Sequence, residues 1–125
     1  MSQDKLLFVL AQNLFFLPRI MTAAKHSGLI MKLTNTESDF WKAYDSQTPA
    51  LVLVDLEGDP EVWPKVLEEL QSKGVETNLV AYGPHSDVEG MKLAKELGCA
   101  PVLTKGEFSR DMQKMMARYA EPAVQ

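Results

Sequence analysis

Apolar residues along this chain gather into five short runs, separated by longer stretches of mixed character. Leu6–Ala11, Leu29–Leu33, Leu51–Val54, Asn78–Tyr82 and Val102–Thr104 each have strand length. Their hydrophobicity is nearly continuous rather than alternating, and Leu51-Val52-Leu53-Val54 is the clearest case. A strand apolar on both faces is buried on both, as in a parallel sheet covered by helices.

The intervening stretches read as helices. Ser86-Asp87-Val88-Glu89 has capping-box spacing and predicts a helix to Leu97, ended by Gly98. Val88, Met91, Ala94 and Leu97 would share its inner face. Pro18 and Pro64 suit first turns of helices, where the missing amide hydrogen does no harm. Phe108, Met112, Met115, Met116 and Tyr119 recur at three- and four-residue intervals and predict a buried stripe on the last helix. A Met-rich face also suits an adaptable partner surface, but core is the expected use. Five strands alternating with helices imply right-handed crossovers and an α/β fold: a doubly wound five-stranded parallel sheet. One domain is expected over residues 1–125, with its core at about 5–119.

In such sheets chemistry gathers at the carboxyl ends of the strands. The residues there are Gln12 and Asn13, Asp55 to Gly58, Gly83 to His85, and Lys105. Asp55 and Lys105 put a carboxylate and an ammonium at one crevice. They suit an ion pair, a catalytic pair or a phosphate site, and equally two solvated strand ends.

Composition narrows the classes of function. Of 125 residues 46% are hydrophobic and 24% charged, which is a globular balance. A formal charge of −4 without any run of Lys or Arg argues against nucleic-acid binding. The longest apolar stretches fall far short of a membrane span, and the start lacks the pattern of a secretory signal. A single cysteine, Cys99, excludes an internal disulfide and offers no metal-ligand spacing. It is expected to be a small buried apolar residue in a reduced, cytoplasmic setting. His26 and His85 are too far apart in the chain pattern to suggest a metal site. No Gly-rich nucleotide motif and no nucleophile elbow is present. Trp41, Tyr44 and Trp63 are expected to pack against the protein rather than form a contact surface.

Thr48-Pro49-Ala50-Leu51-Val52-Leu53-Val54-Asp55-Leu56 resembles the third strand of response-regulator receiver (CheY-like) domains, with their phospho-accepting aspartate. Gly98-Cys99-Ala100-Pro101-Val102-Leu103-Thr104-Lys105 is similar to the glycine-to-lysine segment around the family's fifth strand, and His85-Ser86-Asp87-Val88 also looks receiver-like. The resemblance runs from about Lys5 to Tyr119, and the joint spacing of strands, Asp55 and Lys105 carries it. It implies a flavodoxin/CheY-like (βα)5 fold and a role in two-component signalling.

By that resemblance an acidic pair after the first strand should bind Mg²⁺, and a Thr or Ser after the fourth should bind the phosphoryl group. Here those positions are Gln12, Asn13 and Gly83. Neutral amides remove about two unit charges from the surroundings of a hard ion that prefers anionic oxygen. Gly83 has no hydroxyl, and Val102 stands where an aromatic relay residue is common, with Tyr82 supplying a ring nearby. Asp55 and Lys105 are kept.

A degenerate receiver (a pseudo-receiver) is therefore expected: no Mg²⁺, no other cofactor and no catalysis. Gln12 and Asn13 would then hydrogen-bond Asp55 or Lys105, and Lys105 would pair with Asp55. Glu57 is expected as an exposed loop residue; turned inward it would restore some charge.

The expected function is signalling by protein contact, with a kinase or output protein as the kind of partner. The resemblance places the contact face on the fourth and fifth helices, around Lys92, Lys95, Glu96, Arg110, Gln113 and Lys114. Two alternatives stand beside it: a single-domain response regulator still phosphorylated on Asp55, and a small-ligand module using the same crevice.

Overall fold

A computed structural model describes residues 5–12, 15–75 and 77–120. Five strands alternate with five helices: β1 Lys5–Leu10, α1 Leu17–His26, β2 Leu29–Leu33, α2 Glu37–Ser46, β3 Leu51–Asp55, α3 Trp63–Ser72, β4 Asn78–Gly83, α4 Val88–Glu96, β5 Val102–Thr104 and α5 Lys105–Ala120. The strands form one parallel sheet in the order β2-β1-β3-β4-β5. All five predicted strands are present, with ends shifted by at most one residue.

Burial follows the period-two rule of strands. Leu7, Val9, Leu51, Leu53, Val80 and Tyr82 face α1 and α5, where Ile20, Ala23, Phe108, Met112 and Met116 meet them. Phe8, Leu10, Val52, Val54 and Ala81 face α2, α3 and α4, packing with Phe40, Val66, Leu67, Leu70 and Ala94. Helices thus cover both faces, which explains the unbroken apolar runs of β1 and β3. The Met stripe of α5 is core: Met112, Met115 and Met116 are buried and Tyr119 is half-buried. Trp63 and Cys99 are buried as expected, and burial pushes the Cys99 thiol up to about 12.

Helix ends correct the sequence reading in one place. Asp87, not Ser86, caps α4, its carboxylate accepting the Gly90 amide hydrogen at 2.9 Å. Helix α4 therefore starts one residue later than a Ser86 cap implies, and Val88 lies 69% exposed instead of on the inner face. A carboxylate at this position also matches the positive end of the helix dipole. The predicted stop holds, with Gly98 at φ +100°. Pro18 and Pro64 lie in the first turns of α1 and α3.

Thr104 and Glu107 form a capping box the sequence reading passed over. The Thr104 hydroxyl accepts from the Glu107 amide at 3.1 Å, and the Glu107 carboxylate accepts from the Thr104 amide at 2.9 Å. It starts α5 abruptly at the end of β5 and so fixes where Lys105 stands. Among the described residues no helix is long and apolar enough to cross a membrane.

Candidate functional site

The strand order reverses between β1 and β3, so the crevice beside their carboxyl ends is the place where this architecture builds sites. Asp55 is the last residue of β3 and pairs in register with Tyr82 of β4. Its side chain follows Leu51 and Leu53 onto the α1–α5 face and is only 3% exposed.

The chain turns sharply at this point. The Gly58 amide donates to the Asp55 carbonyl at 2.8 Å, and the Glu57 amide donates to Asp55 Oδ1 at 2.9 Å. A Cβ on Gly58 would stand 2.9 Å from the Asp55 carbonyl oxygen, so this turn requires glycine for space. The Leu56 amide donates to the Tyr82 carbonyl at 2.9 Å and fastens the turn to β4.

Asp55 thus sits among charges that pull in opposite directions. Burial holds its carboxyl above the usual range, because the ionised form loses water. The Glu57 amide opposes that shift, the Glu57 carboxylate adds to it, and the Lys105 ammonium opposes it. Lys105 forms its ion pair with Glu57 rather than with Asp55, which corrects the pairing expected from sequence. The reason is position: the Asp55 side chain turns into the sheet, whereas Glu57 lies at the rim with its side chain 38% exposed, as is that of Lys105. A pair this accessible contributes about 0–1 kcal/mol. Glu57 is thus the exposed loop residue expected, not an inward ligand, and it occupies the lysine.

Gly83 ends β4 and is buried. Its φ is not positive, so its backbone does not demand glycine. Space does: a Cβ there would lie 2.8 Å from Leu56 Cβ and 3.0 Å from Leu56 Cδ1. Leu56 was not singled out from sequence; its only signal is an apolar side chain directly after a strand-ending aspartate. Next to Gly83, the Tyr82 ring stacks on Phe108 of α5 with centroids 4.1 Å apart, and Phe16 meets both edge-on. Burial and the nearby charges of Asp55 and Glu57 raise the Tyr82 phenol.

Of the remaining candidates, Gln12 is exposed at the end of β1 and Asn13 lies outside the described residues. His85 is exposed in the turn after β4. Lys92, Lys95 and Glu96 of α4 and Arg110, Gln113 and Lys114 of α5 are all exposed. Gln113 donates to the Ser27 hydroxyl beyond α1 at 3.2 Å, and Arg110 is held by Asp111 in two bonds of 3.0 Å. Lys114 borders a groove of about 510 Å³ between β5 and α5, with Pro101, Leu103, Asp111, Met115 and Arg118.

Solved structures place this arrangement among known folds. The chain matches the receiver domain of a DNA-binding response regulator from Colwellia psychrerythraea with a TM-score of 0.77 and 12% identity, over 95% of this chain and 100% of that one. A CheY-like receiver domain protein from Methanospirillum hungatei gives 0.76 and 12%, over 94% of each chain. An orphan response regulator of H. pylori gives 0.70 and 16%, over 92% of each. The fold is that of response-regulator receiver domains. At these identities the likeness is one of fold. No protein-family model matches the chain, and no curated protein matches it in sequence.

Mg²⁺ is the ion that receiver chemistry implies, and the donors among the described residues of this crevice do not fit it. The Asp55 carboxylate accepts its own loop's amide, the Glu57 carboxylate is tied to Lys105, and Gln12 brings no charge. Among the described residues no three His, Cys, Asp or Glu side chains come together as a metal site. A hard divalent ion held by so little anionic oxygen would have to displace an ammonium to bind.

Proposed function

We propose that this domain is a receiver-type signalling module that acts in the cytoplasm by binding partner proteins, without catalysis and without Mg²⁺-dependent phosphorylation of its own. One observation carries the reading. The two residues the receiver reaction would use are already engaged within the chain, Asp55 buried against the Glu57 amide and Lys105 paired with the Glu57 carboxylate. Recognition then falls to exposed surface. Lys92, Lys95 and Glu96 on α4, with Lys114 on α5, present exposed charges for such recognition. The β5–α5 groove beside Lys114 offers apolar floor and charged rim together, the composition of a protein-binding patch.

The experiment is capture of partners from the native cell by wild type, Asp55→Asn, Lys95→Glu and Lys114→Glu, each confirmed folded by thermal melt. Asp55→Asn should capture as wild type does, and the helix variants should capture less, because rim charges govern association without holding the core. Loss of capture in Asp55→Asn alone would make the crevice the working site and defeat the proposal. A labile phosphoryl adduct after acetyl phosphate and Mg²⁺, absent from Asp55→Asn by intact mass, would defeat it equally.

A further inference from the structure

The β3–α3 turn touches the machinery of the crevice at three consecutive residues, and each contact takes a place that an incoming group would need. Asp55 is buried and accepts the Glu57 amide on one oxygen, Oδ1. Leu56, 6% exposed, fills the volume beside Gly83. Glu57 supplies an anion to Lys105. Two of these contacts also lead to α5. Lys105 is its first residue, and Leu56 bonds the carbonyl of Tyr82, whose ring stacks on Phe108 one turn further along.

We infer that the 55–58 turn is an internal latch: Leu56 is the wedge that excludes a side chain at position 83, Glu57 is the built-in anion for Lys105, and together they hold α5 in one setting. This rests on the reading that the domain works without phosphorylation, and it adds what sets the state instead. The closest approach is to Leu56 Cβ, which no rotamer change can move away, so the exclusion is a property of the backbone as well as of the leucine. Regulation would consist of a partner that displaces the turn, freeing Lys105 and loosening α5 in the same event.

A thermal double-mutant cycle and a lysine footprint test the two halves of the latch. Gly83→Ala should lower Tm by about 5 °C or more in the wild-type background. In the Leu56→Gly background the same change should have a far smaller effect, since the atoms it strikes are gone. In Glu57→Gln, acylation of Lys105 under limiting reagent should rise by up to about fivefold, the equivalent of losing one exposed ion pair, relative to exposed Lys42 as reference. Equal Tm losses in both backgrounds would remove the wedge, and unchanged Lys105 labelling would remove the anion; either result overturns the latch. If Gly83→Ala does not fold, the footprint alone decides. Partner capture indifferent to Asp55→Asn would survive such a failure, so the latch and the interaction reading fall separately.

Discussion

The Lys105 ammonium reaches past the buried Asp55 to the carboxylate of Glu57, two residues further along the chain. That choice sets the electrostatics of the crevice. It leaves the Asp55 carboxyl beside one positive and one negative neighbour, so burial decides the direction of its shift. It also fastens the turn after β3 to the start of α5 at the rim of the sheet.

Magnesium should bind negligibly at the strand ends. Titration of Mg²⁺ while following amide shifts of residues 55–58 and 105 should give at most a weak, unsaturated drift, because the ion must compete with Lys105 for its one accessible carboxylate. A saturable response centred on Gln12 and Asp55 at millimolar Mg²⁺ or below would show that the donor set had been misjudged.

Cys99 should be inert in the folded domain. It is 3% exposed and its thiol is pushed up to about 12, so almost none of it is thiolate at neutral pH. Labelling with a thiol reagent should be slow in buffer and complete within the mixing time in denaturant. Rapid labelling of the native protein would mean that the β4–β5 side of the core opens locally.

Helix α4 should depend on Asp87 and not on Ser86. Asp87→Ala removes the cap on Gly90 and should destabilise the domain by about 1 kcal/mol, whereas Ser86→Ala should be nearly neutral. Gly90→Ala should mimic Asp87→Ala, because a Cβ there would stand 2.7 Å from the Asp87 carboxyl carbon and push the cap aside. Urea midpoints of the three variants settle the order.

Much of this architecture was legible in the residues. Continuous apolar runs marked the central strands β1 and β3, which are covered on both faces, while the edge strand β2 kept an apolar run although it is largely exposed. Position also placed Asp55 and Lys105 at the same end of the sheet. The α4 cap was misassigned since Ser86 and Asp87 both suit that role, and only the backbone decides between them. Thr104-Lys105-Gly106-Glu107 has the same capping-box spacing, but it follows a three-residue strand with no loop between. The partner of Lys105 was not legible. Asp55 and Glu57 lie two apart, and which carboxylate turns inward depends on the Gly58 turn. The wedge at Gly83 is a contact between residues 27 positions apart, which no local pattern encodes.

The last prediction concerns stability and pH. Asp55 is held above its ordinary value of 3.8, with burial as the largest cause. A carboxyl whose value is raised by folding binds protons more readily in the native state than in the unfolded one. Its contribution is therefore favourable in acid and is lost as pH rises from the unfolded value through the folded one. Above that window the ionised carboxyl is a buried charge that costs the fold stability. Asp55→Asn keeps an oxygen to accept the Glu57 amide and removes that charge, so it should raise Tm by a few degrees at pH 7. Near pH 3, where the wild-type carboxyl is protonated as well, the two melts should converge. Differential scanning calorimetry of both proteins from pH 3 to 8 measures this difference directly. A mutant less stable than wild type at pH 7 would mean that attraction to Lys105 outweighs desolvation, and the ionised carboxylate would then be part of what holds the turn in place.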